Sequence, residues 1–98
     1  NTEIELEITV NKDGNIVIKW KKSKGYRVDS FEILRAVKKN GKYSKIYTTK
    51  SGKASRIVNA KNLKDGKRYY YKVRGVRTID GKKYYTEWSD IESEKVKK

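Results

Sequence analysis

Six short turn signals cut this chain into runs too brief for helical crossovers. They are "KDGN" (12–15), "SKG" (23–25), "KNGK" (39–42), "KSGK" (50–53), "KDGK" (64–67) and "IDGK" (79–82). Asp-Gly and Asn-Gly suit tight hairpins, because the central residues of such turns need positive φ and Gly and Asn tolerate it. Between the turns lie alternating, β-branched runs. "EIELEITV" sets Ile4, Leu6, Ile8 and Val10 on one face and Glu3, Glu5 and Glu7 on the other. "NIVIKW" groups Ile16, Ile18 and Trp20, "DSFEILRAV" offers Phe31 and Ile33, and "KYSKIYTT" offers Tyr43 and Ile46. "SRIVNA" centres on Val58, "RYYYKVRGV" follows, and "EWSDIESEKV" is the weakest run. Turns at this spacing predict seven antiparallel strands in an all-β, two-sheet sandwich of immunoglobulin-like kind. No window carries a helical apolar stripe over three turns.

The run "NLKDGKRYYYKVRGV" (62–76) puts three tyrosines inside a basic segment. Alternation splits it: Tyr69, Tyr71, Val73 and Gly75 point one way, and Arg68, Tyr70, Lys72, Arg74 and Val76 the other. The second set is charged, so the first is expected to face the core. Only Tyr70 is in phase with the basic residues, which disfavours a base-stacking platform of the single-strand-binding type.

Composition bounds the chemistry. The 98 residues read as one domain, 1–98, expected to be excised from a larger multidomain protein because the chain opens at Asn1 without Met. Net charge is +14, with 20 Lys against 6 Arg. Lysine spread along a whole chain serves solubility first, and any partner drawn by this field is an anionic polymer. Cys and His are both absent, so there is no disulfide framework, no thiol chemistry and no imidazole base or ligand. No catalytic residue, metal site or cofactor is expected, and no enzymatic activity. No stretch approaches the ~20 apolar residues of a membrane helix.

Leu63, "KDG", Tyr69, Tyr71 and Val73 together resemble the fibronectin type III pattern Leu-x-Pro-Gly-x-x-Tyr-x-x-x-Val. In that family the first Tyr forms a corner whose hydroxyl bonds back to the chain just upstream. Trp20 in "VIKW" sits where the family places its strand-B tryptophan, and "GYRVDSFEILR" resembles the strand-C segment of many bacterial members. "NGKYSKI", "KSGK" and "WSD" are similar to the C′ strand, the next loop and the start of strand G. The resemblance covers essentially the whole chain. It departs where the usual proline is replaced by Asp65, and no Arg-Gly-Asp tripeptide occurs, so integrin binding does not transfer.

The resemblance implies a structural spacer or interaction module of an extracellular, secreted or cell-wall protein, like the lysine-rich modules of bacterial surface proteins. Its partners would be neighbouring domains of the same chain; nucleic acid is disfavoured and a monomer is expected. The expected core contains Trp20, Phe31, Ile33, Leu63, Tyr69, Tyr71 and Val73, with Tyr43 and Trp88 joining in part. Tyr26, Tyr47, Tyr70, Tyr84 and Tyr85 exceed what the core needs. A rival reading gathers Tyr70, Lys72, Arg74, Lys82, Lys83 and Tyr85 on one sheet face that binds a carbohydrate or anionic wall polymer. A third makes the domain an accessory of a secreted carbohydrate-active enzyme. Glu3, Glu5 and Glu7 are expected to form a solvated face that pairs with Lys19 and Lys21.

Overall fold

The computed structural model describes residues 4–22, 27–59 and 63–97. Within them the chain is all β, in two antiparallel sheets packed as a sandwich. One sheet holds β1 (Ile4–Val10), β2 (Ile16–Lys22) and β5 (Arg56–Asn59), in the order β1-β2-β5. The other holds β3 (Ser30–Ala36), β4 (Ser44–Thr48), β6 (Arg68–Ile79), β7 (Lys82–Tyr85) and β8 (Glu92–Lys95). Its order is β4-β3-β6, with β7 and β8 both pairing with β6. The "SKG" turn, Glu3 and Tyr26 fall outside the described residues.

Among the described residues eight strands stand where seven were predicted, and the extra one has a local cause. The "IDGK" signal forms a tight hairpin with Asp80 at φ 51° and Gly81 at φ 80°, so "KKYY" becomes β7 along the far half of β6. The following residues then leave the regular ladder, because two hydroxyls take over its hydrogen bonds. Thr86 donates its N–H to the Gly75 carbonyl, while the Gly75 N–H is accepted by Thr86 Oγ1 at 2.9 Å. Ser89 repeats the device on Val73, donating its N–H to the carbonyl and accepting the Val73 N–H at Oγ, 2.9 Å away. Pairing resumes at β8, where Glu92 faces Tyr71 and Lys95 faces Arg68. Trp88 lies on the detour between those two hydroxyls.

The core is built from alternate residues of both inner faces. Ile4, Ile16, Ile18 and Trp20 come from one sheet, and Phe31, Ile33, Tyr69, Tyr71 and Val73 from the other. Leu63, Val28 and Val96 close it from outside the strands. The Trp20 and Phe31 rings meet at 5.4 Å between centroids, tilted by 57°. Gly75 is in the inward phase of β6, opposite Phe31, and its missing side chain is needed there. A Cβ at Gly75 would lie 2.5 Å from Val28 Cγ1. Val28, just ahead of β3, thus plugs one end of the core.

The first sheet turns a charged face outward. Its register sets Glu5 opposite Lys21 and Glu7 opposite Lys19. These oppositions stop short of ion pairs; those among the described residues converge on Glu32 instead.

Candidate functional site

Strand β6 separates its tyrosines by task. Tyr69 and Tyr71 are buried, whereas Tyr70 is half-buried on the outer face. The Tyr69 hydroxyl accepts the backbone N–H of Lys64, five residues upstream, at 2.9 Å. The Tyr71 hydroxyl donates to Asn59 Oδ1 at 2.8 Å, and that oxygen also accepts from Arg35 Nη1 at 3.0 Å. Asn59 belongs to β5 and Tyr71 to β6, so this polar contact pins one sheet to the other.

Burial raises the Tyr71 hydroxyl far above its ordinary pKa of 10.0, and the nearby Arg35 opposes that shift only in part. The fold holds the neutral phenol, whereas the unfolded chain ionises first. Tyr71 therefore contributes stability that is fully present below pH 10 and is lost as pH rises towards the folded value. The unfolding free energy should fall above that point at up to about 1.4 kcal/mol per pH unit from this residue. Tyr71→Phe should flatten the alkaline limb by that amount in denaturant titrations at stepped pH; identical limbs would mean that Tyr71 ionises alike in both states.

The outer face of the second sheet carries a ladder of alternating rings and cations. Lys72 Nζ lies 4.6 Å from the Tyr43 ring centre and 4.4 Å from that of Trp88. The Arg74 guanidinium lies 4.4 Å from Trp88 and 3.7 Å from Tyr85. Alternation on β6 puts Lys72 and Arg74 outward, the detour of residues 86–91 lays Trp88 beside both, and Tyr85 arrives opposite Val76. Below them sits Glu32, a carboxylate only 6% exposed. Arg74 Nε donates to its Oε1 at 2.9 Å, and Lys45 Nζ stands 3.7 Å from Oε2. Each cation–ring contact is worth roughly 0.5–2 kcal/mol, depending on how dry it is. The Tyr43 hydroxyl donates to the Lys39 carbonyl, and its pKa is raised by burial first and by neighbouring Tyr70 second.

Of the six residues assigned to this face from sequence, Tyr70, Lys72, Arg74 and Tyr85 share it. Lys83 is in the same phase, opposite Thr78, but out on the hairpin. Lys82 is a correction: it pairs with Ile79 in the opposite phase, and its ammonium lies 5.7 Å from Tyr84. Adjacent residues on a strand point to opposite faces, so Lys82 and Lys83 could not both join. Tyr43 and Trp88, expected partly in the core, stand in this ladder instead. Glu32 went unnoticed because its partner is set by register: it lies opposite Arg74 across the β3–β6 pair, 42 residues away in sequence.

Chemically, the ladder is largely self-satisfied. Its two central cations face aromatic rings or a carboxylate of the same chain, and no nucleophile–base pair lies among them. Among the described residues no group of three or more His, Cys, Asp or Glu side chains is arranged to hold a metal ion. No described helix is long and apolar enough to cross a membrane. The arrangement defines a β-sandwich whose outer face is braced by cation–aromatic contacts. No protein-family model matches the chain, and no curated protein matches it in sequence.

Proposed function

We propose that this chain is a non-catalytic spacer and interaction module of the fibronectin type III kind, carried by a larger extracellular, secreted or cell-wall-attached protein. The observation that carries the reading is where the outermost strands begin and end. β1 opens with Ile4 opposite Lys22, at the end of the sandwich that Val28 plugs. β8 closes with Lys95 opposite Arg68, and the Val96 N–H bonds the Lys67 carbonyl at the other end. The body measures 44 × 26 × 25 Å. A chain passing through such a body is carried from one pole to the other, which suits a module that sets distance between neighbours.

Three features support the family reading. Counting β7 and β8 as one interrupted strand leaves a three-plus-four sandwich, as the family implies. Tyr69 bonds back to Lys64 as a corner tyrosine does. Trp20 lies in the core on β2. The lack of His and Cys in the sequence favours a structural over a catalytic role.

Pulling a single tethered molecule by its two ends tests the spacer role. One cooperative step should release about 300 Å of chain, the difference between the folded span and 98 extended residues. Unfolding in several small steps at low force would sink the reading. A polymer-binding sheet face takes second place: Tyr85 is 47% exposed, but Lys72 and Arg74 beside it are engaged within the ladder.

A further inference from the structure

We infer that a basic groove at the Val28 pole, remote from the ladder, is a docking site for a linear phosphate-bearing polymer. The groove has a volume of about 540 Å³, and among the described residues Lys22, Arg27, Lys50 and Lys53 line it with a single carboxylate, Asp29. That carboxylate is committed to the protein: its Oδ2 accepts the Thr78 N–H at 2.7 Å. Arg27, Lys50 and Lys53 have no carboxylate within ion-pair distance among the described residues, where both such pairs belong to Glu32. Cations converging on a recess with low-dielectric walls focus the field and concentrate anions there.

The same hydrogen bond ties the groove wall to the neighbouring β6–β7 hairpin. Asp29 holds Thr78, and Lys83 lies directly across from Thr78 on β7, with Lys82 next to it. The groove's own cations, Lys22 at the end of β2, Arg27 ahead of β3, and Lys50 and Lys53 after β4, form a short track supplied by three segments of the chain. A track fits a chain of repeated charges.

Chemistry narrows the polymer. Lysine ammonium groups are compact point charges without a planar fork, so they select for charge density over the shape of a carboxylate. Repeated phosphates supply that density. Among the described residues lining the groove there is no aromatic ring, and base stacking is what single-strand binders add to charge. A recess of this size takes one strand of a polymer, whereas a flat bilayer would rest on its rim. The inference is independent of the spacer role: a spacer can lack this site, and the site can exist on a poor spacer.

Inorganic polyphosphate is the probe, titrated into the whole chain at about 50 mM salt while backbone amide shifts are followed. Shifts should concentrate at Arg27, Lys50, Ser51 and Lys53 and leave Lys72 and Arg74 little changed. Lys50→Gln with Lys53→Gln should weaken binding about tenfold and lower the slope of log affinity against log salt by on the order of one. Lys38→Gln with Lys39→Gln removes the same charge at the opposite pole and should cost less than about twofold, since the lost contacts there are not in the track. Equal losses from the two pairs, or shifts spread over the whole surface, would reduce the effect to net charge and overturn the inference. So would markedly tighter binding of an oligothymidylate with the same number of phosphates, or binding only to phosphatidylglycerol vesicles.

Discussion

Trp20→Ala is expected to lower the unfolding free energy by about 3–5 kcal/mol, the range for truncating a large aromatic in a packed core. Trp20 is 4% exposed, sits on the middle strand of its sheet and packs against Phe31. One term works against the loss. The indole Nε1 is buried without a hydrogen-bond partner among the described residues. An unsatisfied buried donor costs about 1–3 kcal/mol, and the truncation removes it, so the lower half of the range is favoured. Domains of this size are stable by only about 5–15 kcal/mol, so the variant should unfold at a far lower urea concentration with an unchanged m-value. An unshifted midpoint would remove Trp20 from the core.

Gly52→Ala should have the second largest effect, about 1–3 kcal/mol with a correspondingly lower melting temperature. A Cβ there would stand 1.9 Å from the Val28 carbonyl oxygen and 2.7 Å from its carbon. Those are backbone atoms, so relief requires the loop to move as a unit. Val28 cannot follow easily, because its side chain already fills the space that Gly75 leaves. The displaced loop carries Lys50 and Lys53 away from Arg27, so polyphosphate affinity should fall together with stability. Gly66→Ala is the contrasting case: nothing lies within 4 Å of its Cβ, and the cost comes only from φ +80°. A thermal scan that ranks Gly66→Ala well above Gly52→Ala in damage would mean that the close approach to Val28 is absent.

The two glycines and the tyrosine run show how far the sequence could be read. Gly81 was legible, since Asp-Gly between alternating runs is a hairpin signal and the hairpin is there. Gly52 looked like another turn residue, although what constrains it is a carbonyl 24 positions earlier in the chain. The division of Tyr69, Tyr70 and Tyr71 into two buried and one outward followed from period two alone, given one charged face. The break between β7 and β8 did not follow, because Thr86 and Ser89 look like ordinary strand residues until their hydroxyls replace ladder bonds on β6. Trp88 shows the same limit: a lone Trp in a weak strand is read as core, whereas here two cations receive it on the outside.

Local chemistry, then, carried the architecture. Turn residues that tolerate positive φ, and apolar residues repeating every second position, act within a few bonds of one another. They determined an all-β sandwich and the inward faces of β1, β2, β3 and β6, though not the placement of Tyr43 and Trp88 on the outer ladder or of Ile57 rather than Val58 against the core. Pairing register and the approach of distant loops involve residues tens of positions apart, and no short window encodes them. Only the tertiary structure could decide that Glu32 lies beneath Arg74, that Lys82 leaves the ladder, and that Arg27, Lys50 and Lys53 share a groove. The charge was visible in the sequence from the start, but which cations are neutralised at home and which face outward depends on the partners that folding brings within reach.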